Sequence, residues 1–120
     1  MPKLRVEDGE FDTNGYKQNR EKVWRSINTR RGQPDFRKKL LAAYSGRCAI
    51  SDCNCKEALE AAHIGGYWGE ASNHVQNGVL LRSDLHTLFD MGKIGIIPGS
   101  LKIVIAKQLL NKRIYSVNAN

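Results

Sequence analysis

The sequence predicts an α+β domain, with basic helices on the N-terminal side, a hairpin, loop and short helix in the middle, and a β-hairpin toward the C-terminal side. Three observations predict it. Apolar residues recur at helical spacing in residues 17–30 (Val23, Trp24, Ile27) and 34–44 (Phe36, Leu40, Leu41, Tyr44), both inside a basic background. Short strand-like runs (RCAIS, ALEAAHI, and the apolar stretches either side of Pro98 and Gly99) are separated by turn residues. The length of 120 residues, 41% hydrophobic and 26% charged, is one domain's worth of ordinary soluble composition.

Taken in order, residues 1–16 mix charges with Gly9, Asn14 and Gly15 without periodicity and read as a loose leader to a single domain over 17–120. Arg31, Gly32 and Gln33 break the first helix, and Pro34 suits the first position of the second, which Ser45 and Gly46 end. RCAIS and ALEAAHI are expected to pair with each other across a turn of Cys and Asn. GGYWGEASNHVQ is a polar loop of twelve residues, long enough to suggest function or mobility. Ser83 is the expected N-cap of DLHTLFDMG, with Leu81, Leu85, Leu88 and Phe89 as the apolar stripe and Gly92 closing the helix. No internal repeat is present, and the residues from Gln108 show no clear pattern.

Nineteen Lys and Arg against twelve Asp and Glu leave a net charge of +7. Ten of those basic residues lie between Lys17 and Arg47, against only Glu21 and Asp35, so this segment alone carries +8. Such a field suits a polyanion, of which nucleic acid is the commonest in a cell; the alternative is a solvated basic face. No apolar run approaches the roughly 18 residues that span a bilayer, and the first residues lack the apolar core of a secretory signal, so a soluble, cytoplasmic protein is expected. Cys48, Cys53 and Cys55 are odd in number and close together, which favours reduced thiols over a disulfide framework.

The candidate chemistry rests on His63 at a strand end, Asn77 fourteen positions on at the end of the loop, and His86 nine further on the short helix. One turn beyond His86 stands Asp90, so an imidazole and a carboxylate share a helix face and can grip one cation. Singly, a strand-end His is commonly structural and a His–Asp pair at this spacing is commonly a surface pair. Together they describe a site.

The combination resembles the HNH endonucleases. LEAAHI with His63, NGVLLR with Asn77, and SDLHTLFDMG with His86 and Asp90 carry the resemblance, and RRGQPDFRKKLLAAYSGRCAIS looks like the lead-in of the subgroup whose first histidine lies in an AAHI string. The likeness extends over about residues 25 to 107. It implies a ββα-metal core at about 47–92 and hydrolysis of phosphodiester bonds in double-stranded DNA. It further implies His63 as general base, Asn77 bracing the loop and orienting that base, and His86 and Asp90 as metal ligands. The chemistry asks for such groups: imidazole is the side chain that takes a proton unassisted near neutral pH, and a hard divalent cation stabilises charge on the phosphate and the departing oxygen. Mg²⁺ is the first expectation for the cofactor, with Mn²⁺, Ni²⁺ and Zn²⁺ as alternatives, and both a monomer and a homodimer remain open. Arg30, Arg31 and Lys38 are the expected backbone phosphate contacts, with Arg82 ahead of the helix as a further one.

The sequence departs from the family pattern twice. Many members place Asp or His directly before the base as a metal ligand, where this chain has Ala62. Glu60 points to the same side of an alternating strand but about 6.6 Å farther back, a doubtful substitute that leaves the site one ligand short. The cysteines also stop at Cys55, so a four-thiolate zinc site cannot form within the chain; Cys48 and Cys53 read as small packed residues, with a mixed site using His74 as the other option. Tyr67 and Trp68 in the long loop suit either contact with a nucleotide or anchoring of the loop itself. Ala62 keeps a rival open, a DNA-binding module that uses the same fold without cutting.

Overall fold

Gly32 makes the corner on which the N-terminal half is built. Its φ of 99° is one that side chains disfavour, and a Cβ there would lie 2.9 Å from the Ala61 Cβ and 3.1 Å from the Ala61 carbonyl oxygen. Only glycine lets the chain pass this close to the neighbouring strand. The computed structural model describes residues 3–5, 7, 9, 20–66, 68–97, 100 and 102–112. Most of the expected leader, and Tyr67, lie outside them.

Before the corner runs helix α1, Glu21–Arg31, with Glu21 paired to Arg25 at 3.4 Å and Arg30 and Arg31 in the last turn, where cations suit the helix dipole. None of its residues is buried: Val23 and Ile27 are exposed and Trp24 is half-buried. Its apolar stripe is therefore weaker than the periodicity implied. After the corner, helix α2, Pro34–Ala43, starts with proline, and the Gln33 side chain caps it by accepting from the Phe36 N–H at 2.7 Å. Phe36 and Leu40 are buried, and the chain leaves through Ser45 and Gly46 in left-handed conformations.

The expected pairing of RCAIS with ALEAAHI does not occur. Strand β1, Leu59–His63, pairs antiparallel with strand β2, Gly78–Arg82, in the register Leu59↔Arg82 through His63↔Gly78. Four of five residues in each strand are buried, because α1 and α2 pack on the sheet along with the helix that follows β2. A strand covered on both faces shows no hydrophobic alternation, so GVLLR lacked the sign by which a half-buried hairpin is read. RCAIS instead wraps into a turn closed by Cys48 N–H to Cys53 O (2.8 Å) and Asp52 N–H to Cys48 O (3.0 Å), with Asp52 at φ 64°. The buried Cys48 sulfur accepts from the Ser51 N–H (3.4 Å) and from the Arg82 N–H of β2 (3.3 Å), and the Ala49 N–H donates to Leu80 O (2.9 Å).

Strand β2 runs without a linker into helix α3, Ser83–Asp90. Ser83 is its first residue rather than its cap: the cap position is Arg82, with no side-chain cap bond, and Asp84 Oδ1 accepts from the Leu85 N–H at 2.9 Å. Leu81 belongs to β2, while Leu85, Leu88 and Phe89 turn to the core as their spacing implied. Strands β3, Ile94–Ile97, and β4, Lys102–Ile105, form a second antiparallel pair. The architecture is α+β, with small antiparallel sheets and three helices among the described residues.

Gly78 tests the tightness of this packing. Its φ of −120° suits any residue, yet a Cβ would lie 2.7 Å from Leu40 Cδ2 and 2.8 Å from Phe36 Cε1. Gly78→Ala should therefore lower stability by about 1–3 kcal/mol through overpacking, read from the midpoint of a urea titration. An unchanged midpoint would mean that Phe36 and Leu40 yield without cost.

Candidate active site

His63 ends β1 with its ring held on two sides. The ring stacks on Phe36 of α2, with centroids 4.4 Å apart and planes 9° from parallel, and its Nε2 lies 2.7 Å from Asn73 Oδ1. An amide oxygen can only accept, so Nε2 donates in this contact. Asn77 works differently from the expectation that it orients the ring. Its Oδ1 accepts from the Gly65 N–H at 2.8 Å, its Nδ2 donates to the carbonyls of Ser72 (2.9 Å) and Gly66 (3.2 Å), and its own carbonyl accepts from the Ile64 N–H at 2.8 Å. It ties the loop to the strand end and acts on His63 through the backbone. Asn73, which holds the ring, went unremarked in the sequence; its one signal was a second Asn four positions before Asn77.

His86 of α3 is buried with its Nδ1 2.6 Å from Glu60 Oε1 and its Nε2 3.6 Å from Asp90 Oδ2. With Nδ1–H donating to Glu60, Nε2 is the ring nitrogen turned toward Asp90. Glu60, which the sequence made a doubtful stand-in for a ligand at position 62, is thus the partner that orients His86. A metal-binding histidine commonly gives its other N–H to a carboxylate in this way. Ala62 is buried and contributes no donor.

Donor atoms that flank one small divalent cation at right angles lie roughly 3 Å apart. The 3.6 Å between His86 Nε2 and Asp90 Oδ2 needs only a small side-chain adjustment to meet that. The nitrogen and oxygen pair fits a cation such as Mg²⁺, Mn²⁺, Ni²⁺ or Zn²⁺. Among the described residues no group of three or more His, Cys, Asp or Glu is arranged to hold a metal. His86 Nε2 and Asp90 Oδ2 make a pair of donor atoms, and the alanine at position 62 adds no third.

The four basic candidates occupy three different settings. Arg30 reaches from α1 into the acidic face, with Nη1 2.9 Å from Asp90 Oδ2 and Nη2 3.3 Å from Glu60 Oε1 and 3.4 Å from Thr87 Oγ1. Arg82 grips Asp84 through two bonds, of 2.6 and 2.9 Å. Partial burial pushes the Asp84 carboxyl up, but the hydrogen bond and charge of Arg82 outweigh it and hold that carboxyl below its ordinary range, while the same bond raises Arg82. Arg31 and Lys38 line a cleft of about 480 Å³ at the α1–α2 corner together with Arg37, whose pKa is lowered by burial and by Arg31. Arg31 also donates to the Glu57 carbonyl at 3.2 Å, and its Nε is buried without a partner.

The three cysteines are free thiols: Cys48 buried, Cys53 half-buried, Cys55 exposed. His74 accepts from the Gln76 N–H through Nδ1 and caps a short turn. Trp68 is exposed on the loop.

No curated protein matches the chain. Residues 48–97 match the family model described as HNH endonuclease. That stretch holds the hairpin, the loop and α3, and with them His63, Asn73, Asn77, His86 and Asp90, while α1 and α2 lie before it. Over residues 48–97, then, the chain is similar to the HNH endonucleases.

Proposed function

We propose that this protein is a metal-dependent endonuclease that hydrolyses phosphodiester bonds in double-stranded DNA. The observation that carries the reading is the His63 ring. It is clamped against Phe36, with Nε2 engaged by Asn73, on the same strand whose Glu60 orients His86. A general base needs its ring held in one orientation, and Asn73 and Phe36 do that for His63.

In this reading His63 takes the proton of the attacking water, Asn73 holds its ring in place, and Asn77 holds the loop that carries Asn73 against the end of β1. His86 Nε2 and Asp90 would hold the divalent cation, Mg²⁺ before Mn²⁺, Ni²⁺ or Zn²⁺, with Glu60 fixing the imidazole. When bound, that cation supplies charge stabilisation at the phosphate and the departing oxygen. The basic segment from Lys17 to Arg47 would bring the duplex in, with Arg31 and Lys38 facing its backbone phosphates. Ala62, which adds no third donor, favours a second reading, a DNA-binding module of the same fold that does not cut. Plasmid nicking with Mg²⁺ or Mn²⁺, and its loss in EDTA, separates the two.

His63→Ala should bind duplex DNA as the parent does and cleave it at least about a hundredfold more slowly, the lower bound for a lost general base. Cleavage at the parental rate would remove His63 from the mechanism.

For the metal, calorimetric titration of Mn²⁺ should show binding lost in His86→Ala and Asp90→Ala. Glu60→Gln should bind it about 10- to 100-fold more weakly, the usual cost of removing a ligand's orienting partner. Unchanged affinity in both His86→Ala and Asp90→Ala would move the cation elsewhere.

A further inference from the structure

Arg30 stands thirty positions before Glu60 and sixty before Asp90, outside the stretch that matches the family. Its guanidinium nevertheless ends in the acidic face. Nη1 is 2.9 Å from Asp90 Oδ2, the same oxygen that faces His86 Nε2 at 3.6 Å. Nη2 reaches Glu60 Oε1 at 3.3 Å, the oxygen that holds His86 Nδ1 at 2.6 Å. One planar fork thus spans both carboxylates of the face, a geometry that arginine's fixed donors suit and a lysine ammonium does not reproduce.

We propose that Arg30 keeps the cation's place in the metal-free protein, so that a divalent metal and Arg30 compete for the Asp90 carboxylate and Arg30 sets how tightly metal is held. The inference rests on the reading of His86 and Asp90 as the metal-binding pair. The two carboxylates carry a charge of −2; the guanidinium already cancels half of it, and a divalent cation arriving with Arg30 in place would overcompensate them by +1. Either Arg30 withdraws or it stays and repels, and both weaken binding. The exposures say which side gives way. Glu60 and His86 side chains are each 10% exposed and fixed, whereas Arg30 and Asp90 are 41% and 48% exposed. Arg30 has solvent to swing into, and Asp90 has room to turn toward the metal.

A purely structural tether between α1 and α3 would lower stability when removed and leave metal affinity unchanged or reduced. Competition gives the opposite sign. Calorimetric titration of Mn²⁺ alone, without DNA, should show Arg30→Gln binding about five- to tenfold more tightly than the parent, the order of one partly exposed ion pair. Arg30→Lys, which keeps the charge but not the fork, should fall between them. In the unmutated protein the side-chain N–H signal of Arg30 should shift on adding Mg²⁺, a readout that does not depend on the variants folding. Equal or weaker binding in Arg30→Gln, or an Arg30 signal unmoved at saturating Mg²⁺, overturns the proposal. If His86→Ala abolishes binding while Arg30→Gln leaves it unchanged, the competition fails and the metal site stands; if His86→Ala binds as the parent does, both fail.

Discussion

The register that sets Leu59 against Arg82 and His63 against Gly78 decides where every group of the site points. Along β1, Glu60 meets His86 of α3 and His63 meets Phe36 of α2. A slip of one residue would set Leu59 or Ala61 against His86 and Ala62 or Ile64 against Phe36. Two close approaches oppose it. Gly32 admits the α1–α2 corner onto Ala61, in the middle of β1, and Gly78, opposite His63, admits Phe36 and Leu40. Because β2 enters α3 without a linker, the same register also fixes the start of the helix that carries His86 and Asp90.

Burial then decides which polar groups are fixed. Glu60 and His86 lie in the protein interior, where an unpaired polar group is costly, and each satisfies the other at 2.6 Å. Asn77 makes three bonds from one side chain, to the backbone of Gly65, Gly66 and Ser72. Ser72, fully buried, accepts from the Trp68 N–H and donates to the Gly69 carbonyl. Asn73 is therefore presented to His63 by a hydrogen-bonded scaffold, and the general-base reading depends on that scaffold as much as on β1.

Much of this was legible in the sequence where the signal is local. Pro34 after Gly32 marked the break between helices; His86 and Asp90 share a face because helical spacing requires it; Ala62 announced a missing donor. What could not be read was set by contacts distant in the chain. The partner of ALEAAH lies beyond the loop, and GVLLR, buried on both faces, carries no alternation to announce a hairpin. Glu60 looked too far back along its strand because its reach was measured from the position before His63 rather than from α3, which crosses the strand at Glu60 itself. Asn73 lacked a periodic position, and loop residues acquire their roles only when the ends are fixed. The stripe Val23, Trp24, Ile27 did predict a helix, but not how little of it would be covered.

The charge of +8 between Lys17 and Arg47 is likewise less uniform than the sequence suggests. Arg25 is paired with Glu21, Arg47 with Asp52, and Arg30 with Asp90 and Glu60, so part of the excess is balanced within the fold. The balance fails at the α1–α2 corner. There Arg31, Arg37 and Lys38 share one cleft, and Arg37 is destabilised as a cation by burial and by Arg31, with Glu57 opposing both. A basic cluster without an ion pair among the described residues attracts a phosphate more strongly than the same number of paired arginines, since no ion pair must break first. A duplex tracking this protein would gain most from the corner and least from Arg30, whose contacts it would have to replace. The corner packs on β1 through Gly32 and Ala61, so the strand that aims His63 also supports the surface on which a backbone would be held.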